Sequence, residues 1–542
     1  MSSISSLSRA VSGLSASQYA LQATAHNLAN VNTPGYVRQQ VLLKESNYYK
    51  IGNNGSSNLM IGMGTDVQTI RQVRNMFLDG AFREESSRYG FYNSGAKAIE
   101  EIETIFGEIE GENMQGILKQ FNKSLDELSK HPDGLEARGT FIQTAVLFVN
   151  KANLIMNQLE EYQTNLNTQI TDKVKEVNRL AKEVNMLNQK ISKYEINGDN
   201  ANDFRDARNN ALDQLSEIID ITYSEDHEGN VNVLAEGFPL VSGGIVNKIK
   251  LEQAAPNSPF VSPVWEVTGN RVFNLKTEIS VDRQNDRGSL KGLLLSRGER
   301  KANYKDTENV SNYEENVKPS IIMRTQAKFD MLVHSIVKKV NDIVAPITNP
   351  TPPAVPEKDK ANAPYGLDDS QHIEIFKRKN MSRYTGDTYN GEDASDINSL
   401  YSAGNLEINP EVLNDYDKIC ITKISGEVNN NELVEKIKEE WEKASIEERP
   451  GSTSKLNIKN YYKGFVGDIG SMGESNKTQM KSQEVLINQI NNQRGMLMNV
   501  SSDEELGNMM KYQHAYNASA RVITVVDQML EQVISRLGLV GR

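Results

Sequence analysis

Six histidines, at 26, 131, 227, 334, 372 and 514, are the residues from which a metal centre would have to be built. Two imidazoles share one helical face when they stand four residues apart, and no pair here has that spacing, so no metal site is expected. The single cysteine, Cys420, excludes an intramolecular disulfide and a thiolate zinc site. No G-x-S-x-G elbow, G-x-x-x-x-G-K-[ST] loop or G-x-G-x-x-G turn occurs. The nearest glycine-rich pieces, "IGMGT" (61–65) and "VSGG" (241–244), lack the lysine or the third glycine and read as turns. Carboxylates crowd "EEIETIFGEIEGE" (100–112), where a glycosidase-like pair competes with a solvated helix face, and the face is the plainer reading. His26 and His514 lie in terminal helical stretches and read as polar helix groups rather than as a pH switch. No catalytic, cofactor-binding or metal-ligating residue is assigned, no cofactor is expected, and the chain does not read as an enzyme.

What the chain does contain is long elements with regular stripes. Its 542 residues exceed one core and call for several domains, with 38% hydrophobic and 24% charged residues pointing to diluted cores. A formal charge of -12 argues against nucleic acid, itself a polyanion, as partner. The start "MSSISSLSRAVSGLSAS" lacks a basic segment followed by an apolar run, and nothing approaches about 18 consecutive apolar residues. The expectation is no membrane insertion and no cleavable signal peptide.

From Ile4, the positions Leu7, Val11, Leu14, Gln18, Leu21, Ala25 and Leu28 follow in alternating steps of three and four, the spacing of a coiled-coil seam. At the other end, Ser502 with Glu505 predicts a capping box, and a helix is expected from there to Leu537, stopped by Gly538. Its expected face is Met509, Gln513, Tyr516, Ala520, Ile523, Leu530, Ile534 and Leu537, interrupted by Asp527. Neither helix has a sequence neighbour to pack on, and an isolated amphipathic helix is marginal in water, so each is expected to take the other as partner.

The fold class expected is α+β multidomain. Residues 1–70 and 501–542 form a long helical bundle or coiled coil from the two chain ends. Helical segments at 71–217, 286–345 and 426–500 form an inner domain. Alternating runs with Gly and Asn turns make 218–285 an inserted β-rich outer domain, and 346–425 is a proline-rich linker and mixed segment with room for a second small outer domain.

Where the first stripe stops, "AHNLANVNTPGYVRQQ" (25–40) follows. Thr33-Pro34-Gly35-Tyr36 predicts a type II turn, because Pro34 presets its first central residue and Gly35 accepts positive φ at the second. Asn27, Asn30 and Asn32 are expected to bond the open carbonyls and turn amides.

The stretch Asn27, Leu28, Ala29, Asn30, Asn32, Thr33, Pro34, Gly35, Tyr36 resembles the opening signature of the axial rod, hook and hook-associated proteins of the bacterial flagellum. "DEELGNMMKYQHAYNASARVITVVDQMLEQVI" (503–534), with Glu504, Glu505, Gln513 and Tyr516, resembles their closing motif. Arg38 and Gln39 after the turn are similar to the hook-associated branch, as are "GSLKGLLLSRGE" (288–299) and "NNQRGMLMNVSSDEE" (491–505). The resemblance implies a structural adaptor between hook and filament, exported through the flagellar type III apparatus and located in the flagellum outside the cell. It also implies hook subunits, hook-associated protein 3 and copies of itself as partners, and a cytoplasmic export chaperone on the C-terminal helix. Leu14, Leu21, Ala520, Ile523 and Leu530 complete the expected assembly residues. A hook or distal-rod subunit is the alternative, followed by a cell-wall hydrolase carried on an axial scaffold. Both chain ends are expected to stay mobile in the monomer and to order on assembly.

Overall fold

The computed structural model describes the backbone of residues 2–54, 57–107, 113–196, 198–348 and 355–537, with side chains except at 2–5, 51–54, 57–59 and 536–537. Residues 108–112 of the acidic run, Gly538 and the side chains of Ile4 and Leu537, all part of the sequence reading above, lie outside the described residues.

Helix α1 (Ser2–Ala29) is followed by strands β1 (Gln39–Glu45), β2 (Tyr48–Asn54), β3 (Ser57–Gly62) and β4 (Thr65–Gln72). Then come α2 (Met76–Phe106), α3 (Met114–Lys130), α4 (Leu135–Glu195) and α5 (Asn202–Ile218). Strands β5 (Ile221–Glu225), β6 (Val231–Ala235), β7 (Phe238–Ser242), β8 (Ile245–Val246), β9 (Ile249–Gln253) and β10 (Val261–Trp265) precede α6 (Ser289–Arg297). The chain continues through α7 (Val310–Asn312), α8 (Ile321–Val344), short strands β11 (Phe376–Arg378), β12 (Tyr384–Thr385), β13 (Thr388–Tyr389) and β14 (Leu406–Ile408), and α9 (Pro410–Asn414). It ends with α10 (Glu432–Glu442), β15 (Ile446–Glu447), β16 (Lys455–Leu456), α11 (Ile458–Met498) and α12 (Ser502–Leu537).

Two compact units divide the chain: residues 1–87, 176–248 and 482–542 form the first, 88–175 and 249–481 the second. In the first unit α1 pairs with α12, β1 with β4 and β2 with β3, while β5 to β8 form an antiparallel sheet in sequence order. Strand β6 shows the period of two that a half-buried strand requires: Val231, Val233 and Ala235 are buried, whereas Leu234 is exposed. Positive φ at Glu236 and Gly237 makes the tight turn into β7.

The second unit is centred on aromatic packing. Phe121 of α3 stacks on Trp441 of α10 and meets Phe141 and Phe148 of α4 and Phe376 of β11. Phe106, Phe329 and Phe465 make a second cluster. Asp330 of α8 is buried and accepts the N–H groups of Tyr304 (2.9 Å) and Ala403 (2.6 Å), and burial pushes its carboxyl up to about 7.

Several sequence expectations change. Residues 218–285 are not one β domain: β5 to β8 belong to the first unit and the β9–β10 hairpin to the second. Beyond Trp265, the alternation of "VFNLKTEISVD" forms no strand; Val272 and Phe273 are buried from irregular chain instead. The mixed segment is no separate outer domain, because Phe376 lies in the aromatic core and Asn341 of α8 bonds the backbone of Ile375 and Phe376 on both sides. Within the segment 286–345, the longest helix begins only at Ile321, behind a π turn at Tyr313–Val317. Leu154 and Tyr194, apolar and aromatic residues of α4 within the helical segment 71–217, are exposed.

Candidate functional site

The paired ends of the first unit carry the residues singled out from the sequence. The buried positions of α1 include Ala10, Ser17, Ala20, Thr24 and Asn27, and Gly13 approaches Ser519 of α12 so closely that a Cβ would stand 3.1 Å from its Oγ. These six alternate in steps of three and four, one residue behind the stripe expected from the sequence. Leu7, Leu14, Leu21 and Leu28 are therefore only half-buried, and Val11, Gln18, Ala25 and Ala29 are exposed. Small side chains win the inner position because they let two helix backbones come close, whereas leucines at the same place would hold them apart.

On α12 the inward positions are Glu505, Met509, Tyr512, Tyr516, Ser519, Ile523, Val526 and Leu530, again in steps of three and four. Tyr516, Ile523 and Leu530 thus face inward as expected, with Ala520 half-buried beside them. Gln513 does not: it is exposed and Tyr512 takes the inward place. Ile534 is 72% exposed, and Asp527 interrupts nothing because Val526 occupies the seam. The helix cap falls one residue earlier than expected. Ser501 Oγ accepts from Glu504 N–H at 3.5 Å, which leaves Glu505 free of the capping box.

The turn has the expected form. Tyr36 N–H donates to Thr33 C=O at 3.2 Å and Gly35 has φ 77°. Asn32, Thr33 and Pro34 are exposed at its tip. Asn27, 2% exposed, works as a surrogate strand: its Oδ1 accepts Gln39 N–H (2.9 Å) and Tyr36 OH (2.8 Å), and its Nδ2 donates to Gln39 C=O (2.9 Å). Asn30 Nδ2 donates to His26 C=O at 3.0 Å while its Oδ1 accepts from Thr33 Oγ1 at 3.1 Å, closing the helix end. Half burial, then the charges of Asp203, Asp206 and Glu505, hold the Tyr36 phenol well above its ordinary pKa.

Past the turn, Arg38 joins the two chain ends. Its Nε donates to Glu505 and an Nη to Glu504, both at 2.8 Å, and its N–H bonds Met498 C=O at 2.9 Å. Glu505 is 2% exposed, so this bond compensates a buried carboxylate, while Glu504 lies in solvent and adds little.

Sequence reasoning missed the opposite wall, which comes from α5. Val37 N–H donates to Asp206 at 3.0 Å, Gln39 Nε2 to Asp203 at 2.8 Å, and Gln72 Nε2 to Asp206 at 2.6 Å. Burial raises the Asp206 carboxyl to about 7 even though Val37 N–H and Arg74 pull it down. Beside it, Arg74 bonds Asp79 (2.6 Å), Arg83 bonds Asp213 (2.6 Å) and Arg494 bonds Asp213 (2.8 Å). The acidic spacing in "NDFRDARNNALDQ" (202–214) was the available signal, but nothing in it names partners that lie so far away in sequence.

Among the described residues no group of three or more His, Cys, Asp or Glu could hold a metal, and no helix is long and apolar enough to cross a membrane. The arrangement orders backbone and joins helices.

Comparison with known proteins gives the same class. Residues 99–346 match the flagellar hook-associated protein FlgK helical domain. Residues 7–36 match the flagella basal body rod protein family and 493–537 the C-terminal family of flagellar basal body rod FlgEFG proteins. The matched segments thus resemble the axial class of flagellar proteins, with the two rod-type matches lying on α1 with the turn after it and on the end of α11 with α12. Flagellar hook-associated protein 1 of Bacillus subtilis (strain 168) is 26% identical over 550 residues, covering 98% of this chain and 97% of that protein. The protein of the same description from Escherichia coli (strain K12) is 22% identical over 575 residues, covering 98% and 99%. Within that class, the chain is similar along nearly its whole length to flagellar hook-associated protein 1. The structure of the flagellar hook junction protein FlgK from Burkholderia pseudomallei shares the fold with a TM-score of 0.51 at 14% identity, over 79% of this chain and all of that one.

Proposed function

We propose that this chain is a structural adaptor subunit of the bacterial flagellum that joins hook to filament and polymerises through its paired terminal helices. The observation that carries the reading is the pairing of α1 with α12, locked to the signature turn by Arg38 and Glu505, in a chain matched end to end by hook-associated proteins 1. The small-residue seam leaves a second stripe outward on α1, and α12 exposes Met510, Val522, Val525, Met529 and Val533. Exposed apolar stripes on long helices are unfavourable in isolation and suit helices of neighbouring subunits.

In this reading hook subunits, hook-associated protein 3 and further copies of the chain are its neighbours in the flagellum. A cytoplasmic export chaperone covers the C-terminal helix before secretion through the flagellar type III apparatus. The test is deletion of residues 505–542 in the producing bacterium. Hooks without attached filaments are expected; filaments attached as in the parent would overturn the proposal.

A further inference from the structure

In the second unit a cleft of about 430 Å³ opens between α8 and α10, with Lys338 and Lys339 on one wall, Lys436 and Glu440 on the other, and Ser445 beyond the end of α10. That volume lies within the range of small-molecule sites, which is roughly 300–1,000 Å³.

The charges around it do not balance. Asp342 is bonded by Arg383 at 2.8 Å and lies 3.3 Å from Lys338. Glu440 is bonded by Lys443 at 2.6 Å and lies 3.7 Å from Lys339. Lys436 has no ion-pair partner among the described residues, and His334 at the cleft edge is engaged with Glu392 at 3.2 Å. Apart from the His334–Glu392 pair, five cations, Lys338, Lys339, Arg383, Lys443 and the unpaired Lys436, thus stand against two carboxylates, Asp342 and Glu440, an excess of three in a chain whose formal charge is -12. Like charges gathered in a partly buried cleft raise the energy of the empty state and focus attraction on an anion.

Two further features point the same way. Ser445 Oγ is buried with no hydrogen-bond partner, a cost that an acceptor placed in the cleft would remove. Burial also lowers the pKa of Lys339, whose ammonium would be stabilised by a neighbouring negative charge.

We propose that this cleft binds the oxyanion head, phosphate or carboxylate, of a small anionic ligand, with Lys339 and Lys436 supplying charge and Ser445 a hydroxyl donor. None of these residues takes part in the pairing of the chain ends, so the site stands or falls separately from the assembly function.

The test is titration of the full-length protein with inorganic phosphate and with acetate, read by calorimetry against chloride at equal ionic strength. Saturable binding of at least one is expected, weakened about tenfold or more by Lys436→Gln and by Ser445→Ala, and unchanged by Lys175→Gln on exposed α4 surface. Saturation by phosphate alone identifies a phosphate-headed ligand and by acetate alone a carboxylate-headed one, and either supports the site. No saturable binding beyond chloride, equal affinity of Lys436→Gln and the parent, or equal loss in Lys175→Gln would overturn it. Lys436 is exposed, so its replacement leaves the fold intact, which a thermal melt verifies.

Discussion

Replacing Asn27 by alanine tests the claim that one side chain fixes the exit from α1. The amide makes three bonds, two to the backbone of Gln39 and one to the Tyr36 phenol, from a position that is 2% exposed. Alanine cannot replace any of them, and water reaches the site only in part. At about 1 kcal/mol per bond the segment should lose about 3 kcal/mol of local stability. With about 1.4 kcal/mol per factor of ten, protection of the amides of residues 36–43 against hydrogen exchange should fall about 100-fold. Asn27→Asp keeps the acceptor but loses the bond to Gln39 C=O, and should fall between alanine and the parent. Mass-spectrometric exchange on peptides covering 36–43 is the assay, with α3 of the second unit as internal reference. A change below about threefold in Asn27→Ala would refute the reasoning, because it would mean that strand pairing of β1 holds the segment without the side chain.

Three other outcomes follow from the same geometry. Arg38→Ala strands the buried Glu505 carboxylate and should cost about 3 kcal/mol at the start of α12, seen as faster proteolysis near residues 500–510, while Glu504→Ala should change little because that group is solvated. Asp206 has its carboxyl raised to about 7 by burial, so the stability it contributes is complete below about pH 4 and is lost as pH rises toward 7; Asp206→Asn should remove that falling slope from urea titrations read by exchange in residues 36–43. Val525→Asp, at a 50% exposed position on α12, should leave the melting of the isolated chain within about 0.5 kcal/mol of the parent yet prevent its incorporation at hook ends; normal incorporation would remove that face from the assembly surface.

The turn at 33–36 was legible because proline, glycine and asparagine have conformational preferences that act within a few residues. The pairing of the chain ends was legible for a different reason: two long amphipathic stretches with no local partner leave few alternatives. The seam itself was displaced by one residue, since Ala10, Gly13, Ser17, Ala20, Thr24 and Asn27 have the same three-and-four spacing as the leucine stripe beside them. Reading size as burial chose the wrong one of two equal periodicities, and Gln513 was chosen over Tyr512 on α12 for want of the same register. Asp203, Asp206 and Asp213 were beyond reach because hydrogen bonding to residues 37–39 and to Arg83 is decided by tertiary placement of α5. The strands of 221–265 showed their period of two, but that period says nothing about which compact unit a strand joins.

That displacement bears on how a paired-helix end can enter a polymer. A helix whose inner seam were leucine would spend its apolar surface within its own chain and turn a polar flank outward. With alanine, glycine, serine and threonine inside, the helix gains close backbone approach and little apolar burial, and an isolated pair of this kind is weakly held. The leucines remain at the flank, half-buried, where each would gain about 1.5–3 kcal/mol on full burial beside a further helix. The pair is thus arranged so that most of its apolar stabilisation is realised against neighbours, while Asn27 and Arg38 set the register in which the two ends meet before any neighbour arrives.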